Sequence, residues 1–315
     1  MKRDYFTKAD ASKTYFLVLV VQIAVMILFA LVPNGFVANL SENAYFCYLL
    51  LSSLLLEGAI LTAVLIYNSK KKIDTFSAIE FKTKSDPINI LICISISIIA
   101  LFLTFHFFNY IDDAVAGLGL AKTSSSYNLN TWPKLIGSIF VLALVPAFVE
   151  EIVFRGSLLH GLKQYTMIGA VLLSSVCFAF FHLSVFQFFY QLYLAIFFAL
   201  IVSFTQDIKL SMIMHFTNNF LVVLFEFLQK RYSFSWFFLQ YIPFWATLLM
   251  FFVCSALIAG LIYIIKRRNE NKIKKHITIR VEGKENLISY IMLYGTMFVQ
   301  FVLALATALT PMMAA

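Results

Sequence analysis

Long apolar runs separated by short polar segments dominate the sequence. Nine runs are close to or above the length of about 20 apolar residues that a helix needs to cross a bilayer core. They cover residues 14–33, 44–67, 88–110, 134–160, 165–183, 186–205, 208–229, 243–266 and 287–311. The fifth to seventh runs follow one another so closely that one of them is expected to be short or broken. The pattern predicts an all-α, polytopic transmembrane bundle of about eight or nine spanning helices.

The basic residues between the runs predict the orientation of the chain. Lysine and arginine are concentrated before the first run, in the 68–87 loop and in the 266–276 segment, whereas the 111–133 loop holds only Lys122. Cytoplasmic loops carry the excess of lysine and arginine, so the N-terminus is expected in the cytoplasm and the C-terminus outside. Lys230 and Arg231 contradict this pattern. Residues 70–86 are expected to lie along the cytoplasmic interface.

Composition supports a membrane protein and excludes a nucleic-acid binder. Of the 315 residues, 61% are hydrophobic and 13% are charged, about half the roughly 25% of soluble domains. The net charge of +8 reflects loop topology, so no nucleic-acid partner is expected. The four cysteines all fall inside apolar runs without a CxxC pattern and are expected to be buried hydrophobes. The lysine-, isoleucine- and phenylalanine-rich composition favours a low-GC bacterium.

Ionisable side chains inside the runs are the candidates for function, because each is costly in a membrane unless it is paired or hydrated. They are Glu57, His106, Glu150, Glu151, Arg155, His182, His215 and Glu226. Glu226 lies four residues before Lys230 and is typical of a surface pair, and His106 is typical of a packing histidine. Glu57 is interpreted as a structural partner of a buried cation, with its role left open.

The stretch PAFVEEIVFRG, residues 146–156, contains two adjacent glutamates with different expected roles. Glu151 and Arg155 are spaced i,i+4 and can neutralise each other on one helix face. Glu150 points about 100° away and has no local counter-charge, which suits a general base. Pro146 lacks the N–H that would bond the carbonyl of Leu142, so a kink is expected just before the glutamates.

Two histidines and an asparagine complete the candidate site. Glu150 and His182 are equally far from residue 166, so a turn there would bring them to one level. His215 and Asn219 are spaced i,i+4 and can project into one cavity. A carboxylate and an imidazole can activate water for amide hydrolysis, and a second imidazole with an amide can stabilise the oxyanion. From these residues alone, a hydrogen-bonded polar core of a transporter or channel remains equally open.

Three motifs in order resemble the CAAX protease and bacteriocin-processing family of intramembrane proteases. They are EEIVFR at 150–155 (EExxxR), FAFFH at 178–182 (FxxxH) and HFTNN at 215–219 (HxxxN). The resemblance covers about residues 134–230, a predicted catalytic core with a cavity between the fourth, fifth and seventh helices. Residues 1–133 and 231–315 are expected to form flanking membrane helices.

The resemblance implies a role for each motif residue. Glu150 is similar to the family's water-activating glutamate with His182 as its partner, and His215 with Asn219 to the oxyanion-stabilising pair. Glu151 and Arg155 are similar to supporting residues. No catalytic metal and no other cofactor are expected, with zinc as the alternative, and the usual helical zinc signature HExxH is absent from the sequence.

The leading hypothesis is therefore an intramembrane endopeptidase that cleaves a membrane-associated peptide or protein near the cytoplasmic face of the plasma membrane. One alternative is a non-proteolytic immunity or scaffold protein of the same fold. Another is a proton-coupled transporter that uses Glu57, Glu150 and the histidines. A prenylated CAAX substrate, a bacteriocin or pheromone precursor and a membrane protein are all compatible with the sequence.

Overall fold

A computed structural model describes residues 2–82, 84–121, 128–163, 166–234, 242–271 and 287–313, without the side chains of residues 103, 105 and 310–313. The described residues form helices and connecting loops, with no β-strand among them. The all-α prediction is confirmed. Lys122, Lys272, Lys274 and Lys275, which contributed to the predicted orientation, lie outside the described residues.

The helices are numbered here in chain order. They are α1 (Lys8–Ala30), α2 (Asn34–Ala38), α3 (Glu42–Lys70), α4 (Thr75–Ala78), α5 (Pro87–Ala116), α6 (Trp132–Leu162), α7 (Met167–Phe181), α8 (Val185–Thr205), α9 (Ile208–Tyr232), α10 (Phe244–Arg268) and α11 (Leu287–Met313). Side-chain caps mark several N-termini. For example, Thr166 Oγ1 accepts a hydrogen bond from Gly169 N at 3.0 Å and so caps the start of α7.

Seven of the described helices are long and apolar enough to cross a membrane, and α5 raises the number to eight if its two halves, bent by 45°, form one span. The fifth predicted span is the 15-residue helix α7, which at 1.5 Å per residue is only about 22 Å long. A polytopic helical membrane bundle is confirmed. The nine predicted spans become seven or eight among the described helices, because α7 is short and α5 is bent. The short helix expected among the fifth to seventh runs is α7.

Four segments meet at one end of the bundle, which we call the basic end: residues 2–7, 72–81, 160–163 and 206–209. Arg3 N donates to Lys72 O at 2.9 Å, and Lys163 Nζ donates to Gln206 Oε1 at 3.0 Å. The N-terminal segment, the 68–87 loop and the α6–α7 turn therefore share one end, as the distribution of basic residues predicts. Which side of the membrane this end faces stays a prediction.

The segment predicted to lie along the membrane interface packs against the protein. Ile73 and Ile79 are buried in one cluster with Ile152 of α6 and Ile208 of α9. Ile79 comes so close to α6 that a Cβ added to Gly156 would lie 2.9 Å from its Cγ2 atom. These apolar side chains of the segment thus cover the basic end of α6 instead of facing lipid.

Helix α6 alternates between α-helical and wider π-helical turns. Ile139–Leu144 and Ile152–Leu159 are π-helical, and Val145–Glu151 between them is α-helical. The first wide segment ends two residues before Pro146, which cannot form the ordinary i→i+4 bond to Leu142. π-Helical turns inside α-helices occur frequently at functional sites, and here they flank the two adjacent glutamates.

Polar contacts tie α1 and α11 to the end of α7. Gln22 Nε2 donates to the carbonyl of Phe181 at 2.8 Å, and Gln300 Nε2 donates to Gln22 Oε1 at 2.7 Å. The Tyr15 hydroxyl also donates to Gln300 Oε1. Helix packing in membranes relies on such contacts and on close packing, because lipid removes the hydrophobic drive between helices. The outer helices therefore fix the backbone just before His182.

Candidate active site

The charged motif of α6 is fully inside the bundle. Glu150, Glu151 and Arg155 are 6%, 0% and 1% exposed. Arg155 Nη1 lies 2.9 Å from Glu151 Oε1, so the predicted i,i+4 pair is present even though Arg155 lies in the second π-helical segment. Arg155 Nη2 also donates to the carbonyl of Ala195 at 3.3 Å, and so the arginine connects α6 to α8.

Two aromatic rings enclose the guanidinium of Arg155. Its central carbon lies 4.3 Å from the ring centroid of Phe178 and 5.1 Å from that of Phe198. A desolvated cation over an aromatic face gains about 2 kcal/mol or more. The rings thus offset part of the cost of burying the cation, and they fix the plane in which Arg155 holds Glu151.

His215 of α9 lies between the two adjacent glutamates. Its Nδ1 is 3.0 Å from Glu151 Oε1, and its Nε2 is 4.0 Å from Glu150 Oε2. The first distance is a hydrogen bond, and the second is too long for one. A carboxylate that also pairs with Arg155 acts as an acceptor, so Nδ1 carries the proton. Nε2 is then the nitrogen that faces Glu150.

Glu150 has a partner that the sequence did not reveal. Its carboxyl is in side-chain hydrogen-bonding contact with that of Glu57 on α3. Among the described residues, no cation forms an ion pair with Glu57. The interpretation of Glu57 as a structural partner of a buried cation is therefore wrong, because the buried arginine of α6 is already neutralised by Glu151.

His182 follows the last residue of α7 and is oriented by the backbone. Its Nδ1 lies 3.0 Å from the carbonyl oxygen of Phe178, which can only accept, so Nδ1 is the donor and Nε2 of the neutral ring is an acceptor. The rings of His182 and His215 lie 4.9 and 5.7 Å from that of Phe178, measured between centroids. Both imidazoles therefore flank one phenylalanine, but no described hydrogen bond joins His182 to Glu150.

Asn219 is held on the same side of α9 as His215. Its Nδ2 donates to the carbonyl of Leu142 at 3.2 Å, which is the carbonyl that Pro146 leaves without its i→i+4 donor. Its Oδ1 accepts from Asn218 Nδ2 at 3.3 Å, and Asn218 Oδ1 accepts from the Tyr190 hydroxyl at 2.6 Å. This chain fixes the orientation of the Asn219 amide and leaves one of its two N–H groups for other acceptors.

The described structure thus brings residues of α3, α6, α7 and α9 into one polar region inside the bundle. The comparison with protein families identifies the part of the chain that forms most of it. Residues 132–221 match the Rce1-like type II CAAX prenyl endopeptidase family. The resemblance drawn from the three motifs is confirmed, and the matched segment contains every motif residue. Searches of curated proteins and of solved structures gave no match.

Several neighbours of the motif residues could not be recognised from spacing. Glu57 lies outside the segment that matches the Rce1-like family, and Tyr190 is 28 residues from Asn218. Phe178 can be recognised from spacing, because it is the first residue of the FxxxH motif and lies i,i+4 from His182. No group of three or more His, Cys, Asp or Glu side chains in the described parts of the chain is arranged to hold a metal ion. The expectation of a metal-free site stays a prediction.

Proposed function

We propose that the protein is an intramembrane endopeptidase that uses water activated by Glu150 and His182. His215 and Asn219 stabilise the oxyanion, and Glu151 with Arg155 holds the site together. The main support for this proposal is that the two adjacent glutamates make different contacts. Glu151 binds both Arg155 and His215, whereas Glu150 forms no hydrogen bond or ion pair within 3.5 Å to a described cation and remains available to act on water.

The orientation of the nitrogen atoms supports this division of roles. With Nδ1 bound to the carbonyl of Phe178, Nε2 of His182 is free to accept a proton from water, as a partner of Glu150 must. With Nδ1–H donated to Glu151, Nε2 of His215 faces Glu150 and becomes a donor when the ring carries a second proton. Asn219 retains an amide N–H. Side-chain donors stabilise a developing oxyanion when they are held in place before the reaction.

The family match supports a peptide substrate at the membrane. The matching family is that of type II CAAX prenyl endopeptidases, and the site lies within apolar helices long enough to cross a membrane. We propose that the substrate is a membrane-associated peptide or protein. We also propose that the protein resides in the plasma membrane of a bacterium with its basic end in the cytoplasm.

The decisive experiment is peptide cleavage by the purified protein in detergent. The wild type is compared with Glu150→Gln on a quenched peptide library that contains farnesylated CAAX peptides and unprenylated hydrophobic peptides. We expect cleavage by the wild type and a loss of roughly 10²- to 10⁴-fold in kcat for the variant, because a general base contributes that much. Glu226→Gln, a matched substitution on α9, serves as the control and should cleave like the wild type.

The same experiment separates the remaining alternatives. Loss of cleavage with a chelator and its restoration by zinc would establish a metal-dependent mechanism. An unaltered biological activity of Glu150→Gln would favour a non-proteolytic immunity or scaffold protein. Solute transport in vesicles that survives loss of His215 or Asn219, without any peptide cleavage, would favour a proton-coupled transporter.

A further inference from the structure

Glu57 lies in the middle of the apolar stretch LLLEGAI of α3. It is 6% exposed, and α3 packs against the Val145–Glu151 segment of α6. A glutamate inside a membrane helix is costly unless a specific partner accepts it. Its partner should therefore explain why it is there.

That partner is Glu150. The two carboxyl groups are in side-chain hydrogen-bonding contact. Glu57 Oε2 and Glu150 Oε2 are both buried and receive no hydrogen bond from any N–H or O–H group of the described residues. Ionised carboxylates are acceptors only, and a proton on one of them turns it into a donor. A single proton held between the two groups would satisfy both and remove their mutual repulsion.

No cation of the described residues satisfies this pair of carboxyls. The nearest ion-pair contact of Glu150 is His215 Nε2 at 4.0 Å, which is too long for a hydrogen bond, and Arg155 pairs with Glu151 instead. On the neighbouring helices the other charged groups that pair lie near the helix ends, such as Lys134 with Glu42 and Arg3 with Asp10. A proton shared by Glu57 and Glu150 therefore remains as the way to satisfy both carboxyls.

We propose that Glu57 is a positioning residue of the hydrolytic site, whose carboxyl shares one proton with Glu150 and holds the Glu150 carboxyl in place to act on water. This inference rests on the proposed endopeptidase function. The pair keeps its shared proton during the reaction, because Nε2 of His182 is free to accept the proton of the attacking water. Since Glu57 lies outside residues 132–221, a helix beyond the matched segment contributes to the site.

A positioning role and a packing role of Glu57 predict different activities for the variant Glu57→Leu. In an apolar helix, Glu57→Leu removes a buried polar group and should leave stability unchanged or raise it. If Glu57 only packs, activity should persist. If Glu57 positions Glu150, kcat should fall roughly 10- to 100-fold, as when a reacting group is misplaced, while KM stays unchanged because substrate binding is not affected.

The kinetic test compares Glu57→Leu with Glu57→Gln and with the control Glu226→Leu, on the peptide probes described above. Glu57→Gln keeps a hydrogen-bond donor toward Glu150 and should retain most of the wild-type kcat. Loss of kcat in Glu57→Leu, its rescue in Glu57→Gln and a thermal midpoint that falls in neither variant support the proposal. A wild-type kcat in Glu57→Leu, together with an inactive Glu150→Gln, overturns the proposal and leaves the endopeptidase function standing.

Infrared spectroscopy tests the shared proton without any substrate. We expect the wild type at neutral pH to show a carboxylic-acid C=O band that disappears in Glu57→Gln and persists in Glu226→Gln. Identical spectra of the wild type and Glu57→Gln would overturn the proposal whether or not any peptide is cleaved. If the band behaves as expected and none of the peptide probes is cleaved, the carboxyl pair stands and the proposed endopeptidase function is what fails.

Discussion

Arg155 offers the sharpest test of how the site is held together. Its ion pair with Glu151 measures 2.9 Å, and the two side chains are 1% and 0% exposed. Replacing Arg155 by methionine would remove the cation, the bond to the carbonyl of Ala195 and the contacts with the two enclosing rings. Glu151 would then remain buried with His215 as its remaining ion-pair partner among the described residues. We expect the free energy of unfolding to fall by about 3–5 kcal/mol, because breaking a buried pair strands the remaining charge.

The size of this stability loss should depend more on the stranded charge of Glu151 than on the lost contacts of Arg155. The double variant Arg155→Met/Glu151→Gln removes both charges, so its loss of stability should lie well below the sum of the two single losses. The coupling energy of contacting residues reaches about 3 kcal/mol, and we expect a value in the upper part of that range. SDS titration in mixed micelles, followed by tryptophan fluorescence, measures the unfolding free energies of the four proteins.

An exposed pair of nearly the same length provides the control. Arg267 and Glu270 lie 2.8 Å apart with side chains that are 62% and 40% exposed. Because exposed pairs contribute about 0–1 kcal/mol, Arg267→Met should barely change stability. A loss below 1 kcal/mol for Arg155→Met, or additive losses in the double variant, would refute the view that Glu151 needs Arg155 as its counter-charge.

Three further predictions address single positions. Asn219→Ala should lower kcat roughly 10²- to 10³-fold if the amide stabilises the oxyanion, and an unchanged kcat would remove it from that role. Gly161→Ala should lower the thermal midpoint, because the added Cβ would lie 2.6 Å from the carbonyl oxygen of Thr7 and overpacking costs about 1–3 kcal/mol. Gly260→Ala, with nothing within 4 Å of its Cβ, is the matched control, and equal midpoints would contradict the close approach. Burial lowers the pKa of Lys163 to about 8 from an unfolded value of about 10.4. The unfolded chain therefore binds more protons between these pH values, and stability should rise with pH there. Lys163→Gln should flatten that rise, and an identical slope in both proteins would contradict it.

The sequence predicted the contacts that depend on spacing within one helix. The Glu151–Arg155 pair and the common side of His215 and Asn219 both follow from the 3.6-residue period. It could not predict contacts between distant helices, such as that of Glu57 with Glu150 or that of Tyr190 with Asn218. The π-helical segments of α6 were also out of reach, because an apolar helix carries no periodic signal that distinguishes wide turns from ordinary ones. The sequence predicts that one of the fifth to seventh runs is short or broken, but it does not show that this run is α7.

The two adjacent glutamates have different environments because their neighbours come from different helices. Glu151 is held by Arg155 of its own helix and by His215 of α9. Glu150 faces α3, where its partner is another carboxyl. A general base in a membrane needs such an environment, since a strong cation beside it would weaken it as a base and an apolar wall would leave its charge unsupported. A carboxyl group that shares a proton with Glu150 supports it through one hydrogen bond without placing a cation beside it. On this argument, the helix that supplies Glu57 is as necessary to the chemistry as the three motifs, although it lies outside the segment that carries the family resemblance.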